Sequence, residues 1–472
     1  MASSFTEPTR RDLEPGWVDR GAPTAQRAAV PKRRHPPRTL LALAALASLG
    51  GCLGLDPLSA QANERLRTFD FYWQQLADDY PLFGPRPIDW NELRRRYRAA
   101  VPFTRAPHEF YHLLTGMLSE LADVHVSLSI PPERMAIADL AATSLLDVDG
   151  FRVMPIEGRL HVVGWPLGHA PMPPDVLTNG DNHPELWRVE GFPVVLSLVG
   201  NLFLGPPDSP VELQLRWRDG SITRHVLRRP VGTSGQARSP LGHLRPDPRR
   251  FRLRQSQPFC WLTVDDFDKD LPIEKLEAIV DRARASDGLV LDLRNNLGGL
   301  FANAQRLAER FLQSRVPLVF APPHPESRWF GLVTVEWFMQ DEWQPREPRF
   351  DRPLVVLTSA MTGSAAEHTA RILQRHAGAI VVGERTAGAE AVVQEAEGPD
   401  GGTLRFGSTR VLESNGVGLQ EEGVVPDVSV RLRIEDVEML GPDGAVVEWE
   451  TRIAAAARAA LDRLARARGS GR

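Results

Sequence analysis

From Phe259 onward the sequence alternates between strand-like and helix-like patterns, and this alternation restricts the possible folds more than any other feature. Short apolar runs are separated by longer segments with helical periodicity. The expected elements are the strand Cys260–Val264, the helix Ile273–Ala285, the strand Leu289–Leu293, the helix Ala302–Phe311, the strand Leu354–Leu357, the helix Ala365–Gln374 and the strand Ala379–Val382. Strands joined through helices imply crossover βαβ units, so the expected fold class is α/β.

One serine stands at a strand-to-helix junction of this pattern. Ser364 lies in TSAMTGSAAEH (358–368), between an apolar run that ends at Leu357 and an Ala-rich stretch that can be helical. A hydroxyl there is near a helix N-terminus, whose unpaired backbone N–H groups can bind a developing oxyanion. Ser364 is therefore the leading nucleophile candidate. The alternative is a serine that only caps the helix.

A second segment can reach the same point. Gly288–Gly299 reads as a buried strand that ends in a Gly-Gly turn. Such a turn could bring a further backbone donor close to Ser364.

These segments, with others in the same order, resemble the C-terminal processing (tail-specific) serine peptidases and two relatives, the tricorn core and interphotoreceptor retinoid-binding protein. The similarity extends over about residues 62–434. The matching segments are FYWQQLADDYPLFGPRPIDW (71–90), ELADVHVSL (120–128), DLRNNLGG (292–299), TSAMTGSAAEH (358–368), VVGERTAG (381–388) and EEGVVPDVSV (421–430).

The resemblance implies a crotonase-like (ClpP/crotonase) ββα core, an N-terminal helical domain and a degenerate PDZ-like β module. A chain of 472 residues is longer than one hydrophobic core usually supports, so several domains are expected. The expected parts are a signal segment (1–51), the helical domain (52–135), the PDZ-like module (136–232), a linker (233–257), the α/β core (258–434) and a C-terminal helix (435–472). The alternative for 136–232 is a β module that only packs against the core.

A serine nucleophile needs a base, and the usual one of this family is missing. Most members use a lysine about 25 residues after the serine, a position that Ala389 occupies here. Lys269 and Lys275 lie in a different element. The tricorn-like branch uses a histidine from the helical domain, and His125 stands at that place. Imidazole can act as base and then as acid near neutral pH. The alternative is that His125 caps or fills a helix end.

The resemblance is weaker for the remaining site residues. Val124 replaces the serine that precedes the histidine in the tricorn core, and Gln420 occupies the position of its glutamate, so the neighbouring Glu421 is predicted to orient the base. The oxyanion donors implied by the family are the backbone N–H groups of Gly298 or Gly299 and of Ala365.

The N-terminus carries an export pattern. A basic cluster precedes the apolar run Thr39–Ser48, which is too short to span a membrane and is typical of a secretory signal. The run leads into Leu49-Gly-Gly-Cys52, which resembles a bacterial lipobox and predicts lipidation of Cys52. A plain cleaved signal and an uncleaved anchor are the alternatives. After lipidation only Cys260 would remain unmodified, so no intrachain disulfide is expected.

A metal-site pattern and the net charge complete the prediction. His108-Glu-Phe-Tyr-His112 matches the HExxH pattern of zinc peptidases, but both histidines are expected on the solvent face of a helix and no third ligand is recognisable. We therefore expect no metal and no cofactor. A net charge of −4 gives no reason to expect nucleic acid as a partner.

The sequence thus predicts an exported, lipid-anchored serine endopeptidase that acts on proteins or peptides through Ser364 and His125. A catalytically inactive member that binds peptide tails or an apolar ligand is the second hypothesis, since Val124 and Gln420 depart from the tricorn pattern. A zinc peptidase built on residues 108–112 is a distant third.

Overall fold

The computed structural model describes residues 60–80, 88–131, 134, 152–156, 159–164, 183–229, 250–256, 258–321, 326–329, 333–336, 339–389, 391–413, 422–437 and 446–469. The expected signal segment with Cys52 lies outside these residues, as do Gln420 and Glu421. In this part of the chain no helix has both the length and the apolar character needed to cross a bilayer.

The secondary structure of the described residues consists of short strands and mostly short helices. The helices are α1 (Ala60–Asp79), α2 (Trp90–Arg98), α3 (Pro107–Ser119), α4 (Val199–Phe203), α5 (Ile273–Ala283), α6 (Phe301–Glu309), α7 (Ala365–His376) and α8 (Val447–Gly469). The strands are β1 (Ser127–Ser129), β2 (Arg152–Ile156), β3 (Arg159–Gly164), β4 (Glu185–Val189), β5 (Phe192–Pro193), β6 (Pro210–Arg216), β7 (Ile222–Arg228), β8 (Phe251–Ser256), β9 (Phe259–Val264), β10 (Leu289–Asp292), β11 (Val316–Ala321), β12 (Glu326–Trp329), β13 (Val333–Glu336), β14 (Met339–Trp343), β15 (Leu354–Thr358), β16 (Ile380–Gly383), β17 (Val392–Glu397), β18 (Thr403–Glu413) and β19 (Val428–Ser429).

A sheet with the strand order β19-β16-β15-β10-β9-β8 forms the centre of the C-terminal half. Its strands are parallel, except for β8, which runs antiparallel to β9. Alternate residues of β10 face opposite sides, so Leu289 and Leu291 pack with α5, α6 and α7, whereas Val290 packs with α8. The α/β alternation predicted from the sequence is confirmed, and the predicted ends of these elements are within about two residues of the observed ones.

The N-terminal half is built differently. We call the described part of residues 152–229 the β-module. Helices α1, α2 and α3 and this module surround one continuous hydrophobic core. The module's strands pair antiparallel in the order β2-β3-β4-β6-β7, with β5 on β4. The ring of Phe192 lies against α3, where a Cβ atom on Gly116 would be only 2.1 Å from it. The β-module and the helices therefore bury each other's apolar faces.

This packing contradicts one prediction about the HExxH segment. His112 is buried in α3, and its Nε2–H donates to the carbonyl oxygen of Leu204 over 2.7 Å. The half-buried His108 packs its ring edge-on against that of His112. The prediction that both histidines face solvent is therefore wrong for His112. The physical reason is that the β-module covers the face of α3 that helical periodicity alone assigns to water, and every residue from 110 to 119 is buried.

Two strands lie in segments that the sequence assigned to a helical domain or to a linker. Strand β1 follows α3 within the region expected to be helical, and it pairs antiparallel with β18. Strand β8 lies at the end of the expected linker and pairs with β9. Strand β1 depends on a partner distant in sequence, whereas the largely exposed β8 forms a hairpin with the strand that follows it.

The long strand β18 connects the two halves. Its first residues pair with β1 and β17, and its last residues pair with β11. Asp400, in the turn between β17 and β18, accepts hydrogen bonds from the hydroxyls of Tyr72 (2.6 Å) and Tyr111 (2.8 Å). All three side chains are buried. The turn of this hairpin is thus anchored to helices α1 and α3.

Candidate active site

Ser364 stands between β15 and α7 in a backbone conformation that few L-residues adopt. Its φ is +51° and its ψ is −125°, and a conformation of this kind costs roughly 1–3 kcal/mol. The residue is partly exposed, and its hydroxyl makes no capping hydrogen bond to the described residues of α7. A serine that only caps a helix normally has extended backbone angles and bonds the first-turn N–H groups. The geometry favours a presented hydroxyl, as in strand-turn-helix elbows.

The glycine turn that follows β10 lies directly against this serine. A Cβ atom on Gly298 would be 2.7 Å from Ser364 Cβ and 3.1 Å from the backbone nitrogen of Ala365. The N–H of Gly363 donates to the carbonyl oxygen of Asn296 over 3.0 Å and so ties the two turns together. Gly298 also has a φ of +104°, so both space and conformation require glycine there.

The backbone amides of the two turns differ in availability. The N–H of Gly298 donates to Oδ1 of the fully buried Asn296 over 2.8 Å. The N–H groups of Gly299 and Ala365 have no hydrogen-bond partner among the described residues. These two amides are therefore the donors that remain open to a bound oxygen atom.

A buried carboxylate joins the start of α7 to the segment after β16. Glu367 accepts hydrogen bonds from the backbone N–H groups of Ser364 (3.1 Å), Gly388 (2.7 Å) and Ala389 (2.7 Å), and from the hydroxyl of Thr386. Burial raises the pKa of Glu367 to about 7, while these hydrogen bonds act in the opposite direction. Since an N–H group can only donate, the ionised carboxylate satisfies all four donors. Glu367 therefore holds the backbone at Ser364 and the backbone at Gly388 and Ala389 in fixed positions.

His125 lies in the loop between α3 and β1, at the edge of the N-terminal half. Both ring nitrogens are buried and have no hydrogen-bond partner among the described residues. Burial lowers the pKa of the imidazole, and the charge of Asp123 opposes that shift. Asp123 Oδ1 accepts the backbone N–H of His125 over 2.8 Å. The side chain is thus a neutral, unpaired imidazole at neutral pH.

Ser364 and His125 border the same short stretch of chain. The N–H of Ser364 donates to the carbonyl oxygen of Ala389 over 2.7 Å. Two residues further on, Ala391 packs against Gly407 of β18: a Cβ atom placed on that glycine would be 2.6 Å from Ala391 Cβ and 3.6 Å from His125 Nδ1. The predicted nucleophile therefore lies beside Ala389, and the predicted base lies beside the strand that packs against Ala391.

The other candidates for base and orienting group are placed as follows. Lys269 and Lys275 are exposed near the start of α5, in a different element from Ser364. Ala389 is buried at the position expected for a lysine. Glu421 lies outside the described residues, and its role stays a prediction. The nearby residue Val424 donates its N–H to Thr386 Oγ1 over 2.6 Å, and Thr386 in turn donates to Glu367. The segment that begins at residue 422 is therefore linked to Glu367 through Thr386.

The sequence interpretation missed residues that hold this site together. Glu367 occupies the third helical position after Ser364, and the S-x-x-E spacing was a visible signal. Asn296 and the buried Asp292–Arg294 ion pair (2.7 Å) fix the turn after β10. Burial opposes ionisation of Asp292, but the charge and hydrogen bonds of Arg294 outweigh it and lower the pKa of the carboxyl. The DLRNN segment therefore supports the glycine turn as well as ending the strand.

Over the described ranges, no group of three or more histidine, cysteine or acidic side chains is arranged to hold a metal ion. His112 uses its Nε2–H on Leu204 and is closed off from solvent. The HExxH segment thus behaves as part of a packed helix.

Models of known protein families match two parts of the chain. Residues 259–430 match peptidase family S41, and residues 61–119 match the tricorn protease C1 domain. A carboxyl-terminal-processing protease of Synechocystis sp. is 24% identical over 379 residues, which cover 79% of this chain and 83% of the relative. A chloroplastic C-terminal processing peptidase of Tetradesmus obliquus is 27% identical over 407 residues, which cover 82% and 80% of the two chains.

Two solved structures of other proteins share the fold of this chain. The structure of mature CPAF complexed with lactacystin has a TM-score of 0.58 and 12% identity, and the match covers 85% of this chain and 99% of that one. A putative peptidase from Parabacteroides merdae has a TM-score of 0.50 and 18% identity, over 84% and 96% of the two chains. At these identities the likeness establishes a shared fold.

Proposed function

Because the chain carries a peptidase family S41 domain and is a serine-type peptidase, we propose that it is an exported endopeptidase in which Ser364 is the nucleophile and His125 the general base. Its substrates are proteins or peptides, as the names of its relatives indicate for those enzymes. The proposed core is crotonase-like, with the nucleophile presented at the start of α7.

In the proposed reaction, His125 takes the proton of the Ser364 hydroxyl while the oxygen adds to the scissile carbonyl carbon. The carbonyl oxygen becomes an oxyanion, and the open N–H groups of Gly299 and Ala365 stabilise it. The intermediate then collapses, the C–N bond breaks, and His125 returns the proton to the leaving amine. Water attacks the acyl-enzyme with His125 again as base, which releases the carboxylic acid product and restores Ser364.

The observation that carries this proposal is the conformation of Ser364 against the glycine turn. Capping a helix requires neither the strained backbone of Ser364 nor the two open backbone amides beside it. The neutral imidazole of His125 supports the choice of base, because the described lysines are exposed and positioned elsewhere.

A catalytically silent binder is the second candidate, and two observations favour it. Among the described residues, no carboxylate accepts a hydrogen bond from the imidazole of His125. Leu297 and Leu300, on either side of the glycine turn, expose 56% and 48% of their surface and could hold an apolar ligand. The same leucines could equally contact an apolar substrate side chain.

Labelling with a fluorophosphonate separates the two candidates. The full chain should react with the probe in a time-dependent manner and lose the reaction in Ser364→Ala. Ser359→Ala serves as the matched control and should still label. It alters a buried serine in the same loop, directly after β15. Wild-type protein that neither labels nor cleaves an unfolded polypeptide would mean that the chain is a binder.

We propose in addition that the β-module holds the substrate's C-terminal tail in the manner of a PDZ domain. Strand β7 pairs only with β6 among the described strands, and its Ile222 and Val226 are 48% and 59% exposed. A free strand edge with apolar side chains suits strand addition. Val226→Asp should slow cleavage of a long unfolded chain and leave cleavage of a short peptide unchanged; equal effects on both would argue against a tail site.

For the N-terminus we propose export and lipidation at Cys52, on the lipobox-like sequence Leu49-Gly-Gly-Cys52. Expressed in a bacterium, the protein should incorporate labelled palmitate and partition into detergent. Cys52→Ser should abolish both. An unlabelled, water-soluble wild-type protein would disprove the anchor without affecting the catalytic proposal.

A further inference from the structure

The strand that follows His125 has two edges, and the fold closes them in different ways. On one edge, residues 127–129 pair with residues 403–405 of β18. On the other edge no strand is present among the described residues. The carbonyl groups of Val126 and Leu128 point to that second edge, because alternate carbonyl groups of a strand face opposite sides.

Two side chains of the β-module fill this second edge. The hydroxyl of Ser197 donates to the carbonyl oxygen of Val126 over 2.6 Å, and Nδ2 of Asn201 donates to that of Leu128 over 2.8 Å. Ser197 lies in the turn that precedes helix α4, and Asn201 lies within that helix. Val126 directly precedes β1 and Leu128 lies within it, so their carbonyl groups, two residues apart, face the same side. The turn and the start of α4 therefore bond both carbonyl groups at once.

The backbone on the other side of His125 is fixed by the N-terminal helices. Asp123 is buried, and its Oδ1 accepts the N–H of His125 over 2.8 Å. Its Oδ2 accepts the hydroxyl of Tyr80, at the end of α1, over 2.7 Å. The imidazole itself has no hydrogen-bond partner among the described residues. Its position therefore depends on how the backbone before and after it is held.

We infer that Ser197 and Asn201 of the β-module are positioning residues for the base, acting through the carbonyl groups of Val126 and Leu128. The inference rests on the proposed role of His125. It makes the β-module a structural component of the active site, in addition to any binding of substrate tails. A displacement of about 1 Å at a catalytic group can cost as much as a hundredfold in rate.

The first test compares turnover in variants of Ser197 and Asn201, the two residues that we call the clamp. Ser197→Ala and Asn201→Ala should each lower kcat about tenfold, with a smaller change in KM, because the hydrogen bonds do not touch substrate. Ser197→Thr keeps the hydroxyl and should retain most activity. Ser286→Ala is the matched control: it removes a serine that bonds the carbonyl groups of Ala283 and Gly288 in the core, and it should leave kcat unchanged.

The second test reads the imidazole directly and does not depend on turnover. With carbon-13-labelled histidine, the resonance missing from His125→Ala identifies His125. Burial lowers the pKa of His125 in the intact clamp, and Asp123 is the charged group that acts against burial. Asn201→Ala should loosen the loop, admit water and move the pKa of His125 upward toward its ordinary value near 6.5. A residue with a merely structural role would change the melting temperature and leave this titration as it was.

The outcomes separate the clamp from the proposed function. If wild-type protein is active and the clamp variants keep both kcat and the His125 titration, the inference is wrong and the peptidase proposal stands. If wild-type protein is inactive toward probe and substrate, the peptidase proposal is wrong, and the titration still tests whether Ser197 and Asn201 hold His125. Clamp variants that lose kcat only in proportion to lost folded protein, measured by circular dichroism, also contradict the inference.

Discussion

Ser364 and His125 belong to regions that are built by different rules. Ser364 lies in the loop between a strand of the parallel sheet and α7, and its neighbour in the site is the glycine turn after the adjacent strand β10. His125 lies in a loop whose position depends on contacts with the β-module, with α1 and with β18. In the first region a local strand-turn-helix pattern determines the geometry. In the second, the geometry comes from packing between segments far apart in sequence.

The difference has a consequence for catalysis. The proposed oxyanion donors and nucleophile are held together, because the Asn296 and Glu367 hydrogen bonds join their turns. The proposed base belongs to the N-terminal half, which meets the core through β18 and through apolar residues of β2 and β3 that pack with α8. Variants within the core should therefore disturb the serine and its donors together, whereas variants around the 123–128 loop should disturb mainly the base.

The largest expected effect comes from removing the imidazole of His125, which belongs to one region and is proposed to act on Ser364 in the other. His125→Ala should lower kcat by about 10²–10⁴-fold, because the proposed proton acceptor for the serine hydroxyl is removed. Lys269→Ala and Lys275→Ala are the controls and should change kcat little, since both lysines are exposed. Steady-state kinetics on an unfolded protein substrate provides the measurement. Undiminished hydrolysis by His125→Ala would refute the proposed mechanism.

Gly298→Ala tests the rigidity of the core side and should have the next largest effect. The added methyl group would lie 2.7 Å from Ser364 Cβ, so the serine must shift, and we expect roughly a hundredfold loss of kcat. Gly378→Ala is the matched control: its φ is also positive, at +67°, but a Cβ atom there meets nothing within 4 Å. It should lose stability from backbone strain alone, about 1 kcal/mol, and keep its activity.

If both glycine variants lost activity equally, backbone strain would explain the result and contact with Ser364 would not. Thermal unfolding of the two variants, measured beside kcat, distinguishes these possibilities.

The contrast between the two regions also explains what the sequence could predict. The order of strands and helices around Ser364 follows from short apolar runs and their spacing, and the structure confirms it. The S-x-x-E spacing of Ser364 and Glu367 was equally readable, but the carboxylate's four donors come partly from residues 386–389, which only the fold brings near. Local pattern therefore predicted the element and missed the network.

The N-terminal half shows the opposite case. The helix that carries His108 and His112 was predicted correctly, but the burial of His112 depends on Leu204 of the β-module. Strand β1 is only three residues long and exists through its pairing with β18. Neither feature leaves a periodic signal in its own segment, because the partner that creates it lies far away in sequence. The position of His125 could be predicted by family resemblance and not by periodicity.

Glu367→Gln should produce an intermediate effect with a distinctive pH dependence. A glutamine NH₂ group would face at least one backbone N–H that now donates to the carboxylate, so we expect roughly a tenfold loss of kcat. In wild type, Glu367 must be ionised to accept its four donors, and its pKa is about 7. Activity should therefore fall as the pH drops through about 7. His125 must be neutral, and burial lowers its pKa, so its loss of activity begins at lower pH.

The pH–rate profile of Glu367→Gln provides the check. The acid limb near pH 7 should disappear, and the limb that remains should lie at the lower pH set by His125. A profile with the same acid limb as wild type would show that Glu367 does not titrate in the catalytic range.

The smallest effect is expected for a hydrogen bond that joins the two regions without reaching the site. Tyr72→Phe removes one of the two hydroxyls on Asp400, and the loss of a hydrogen bond to a charged group costs about 1.5–3 kcal/mol of unfolding free energy. Asp400 keeps the hydroxyl of Tyr111, so the β17–β18 hairpin should stay in place and kcat should change less than twofold. Tyr97→Phe is the matched control, because its buried hydroxyl bonds Glu120 within the N-terminal half.

Chemical denaturation should give similar losses of unfolding free energy for both single variants. Tyr72→Phe combined with Tyr111→Phe should also lower kcat, since the hairpin that carries Gly407 to His125 then loses its anchor. A double variant with full activity would mean that β18 pairing alone holds the two regions together.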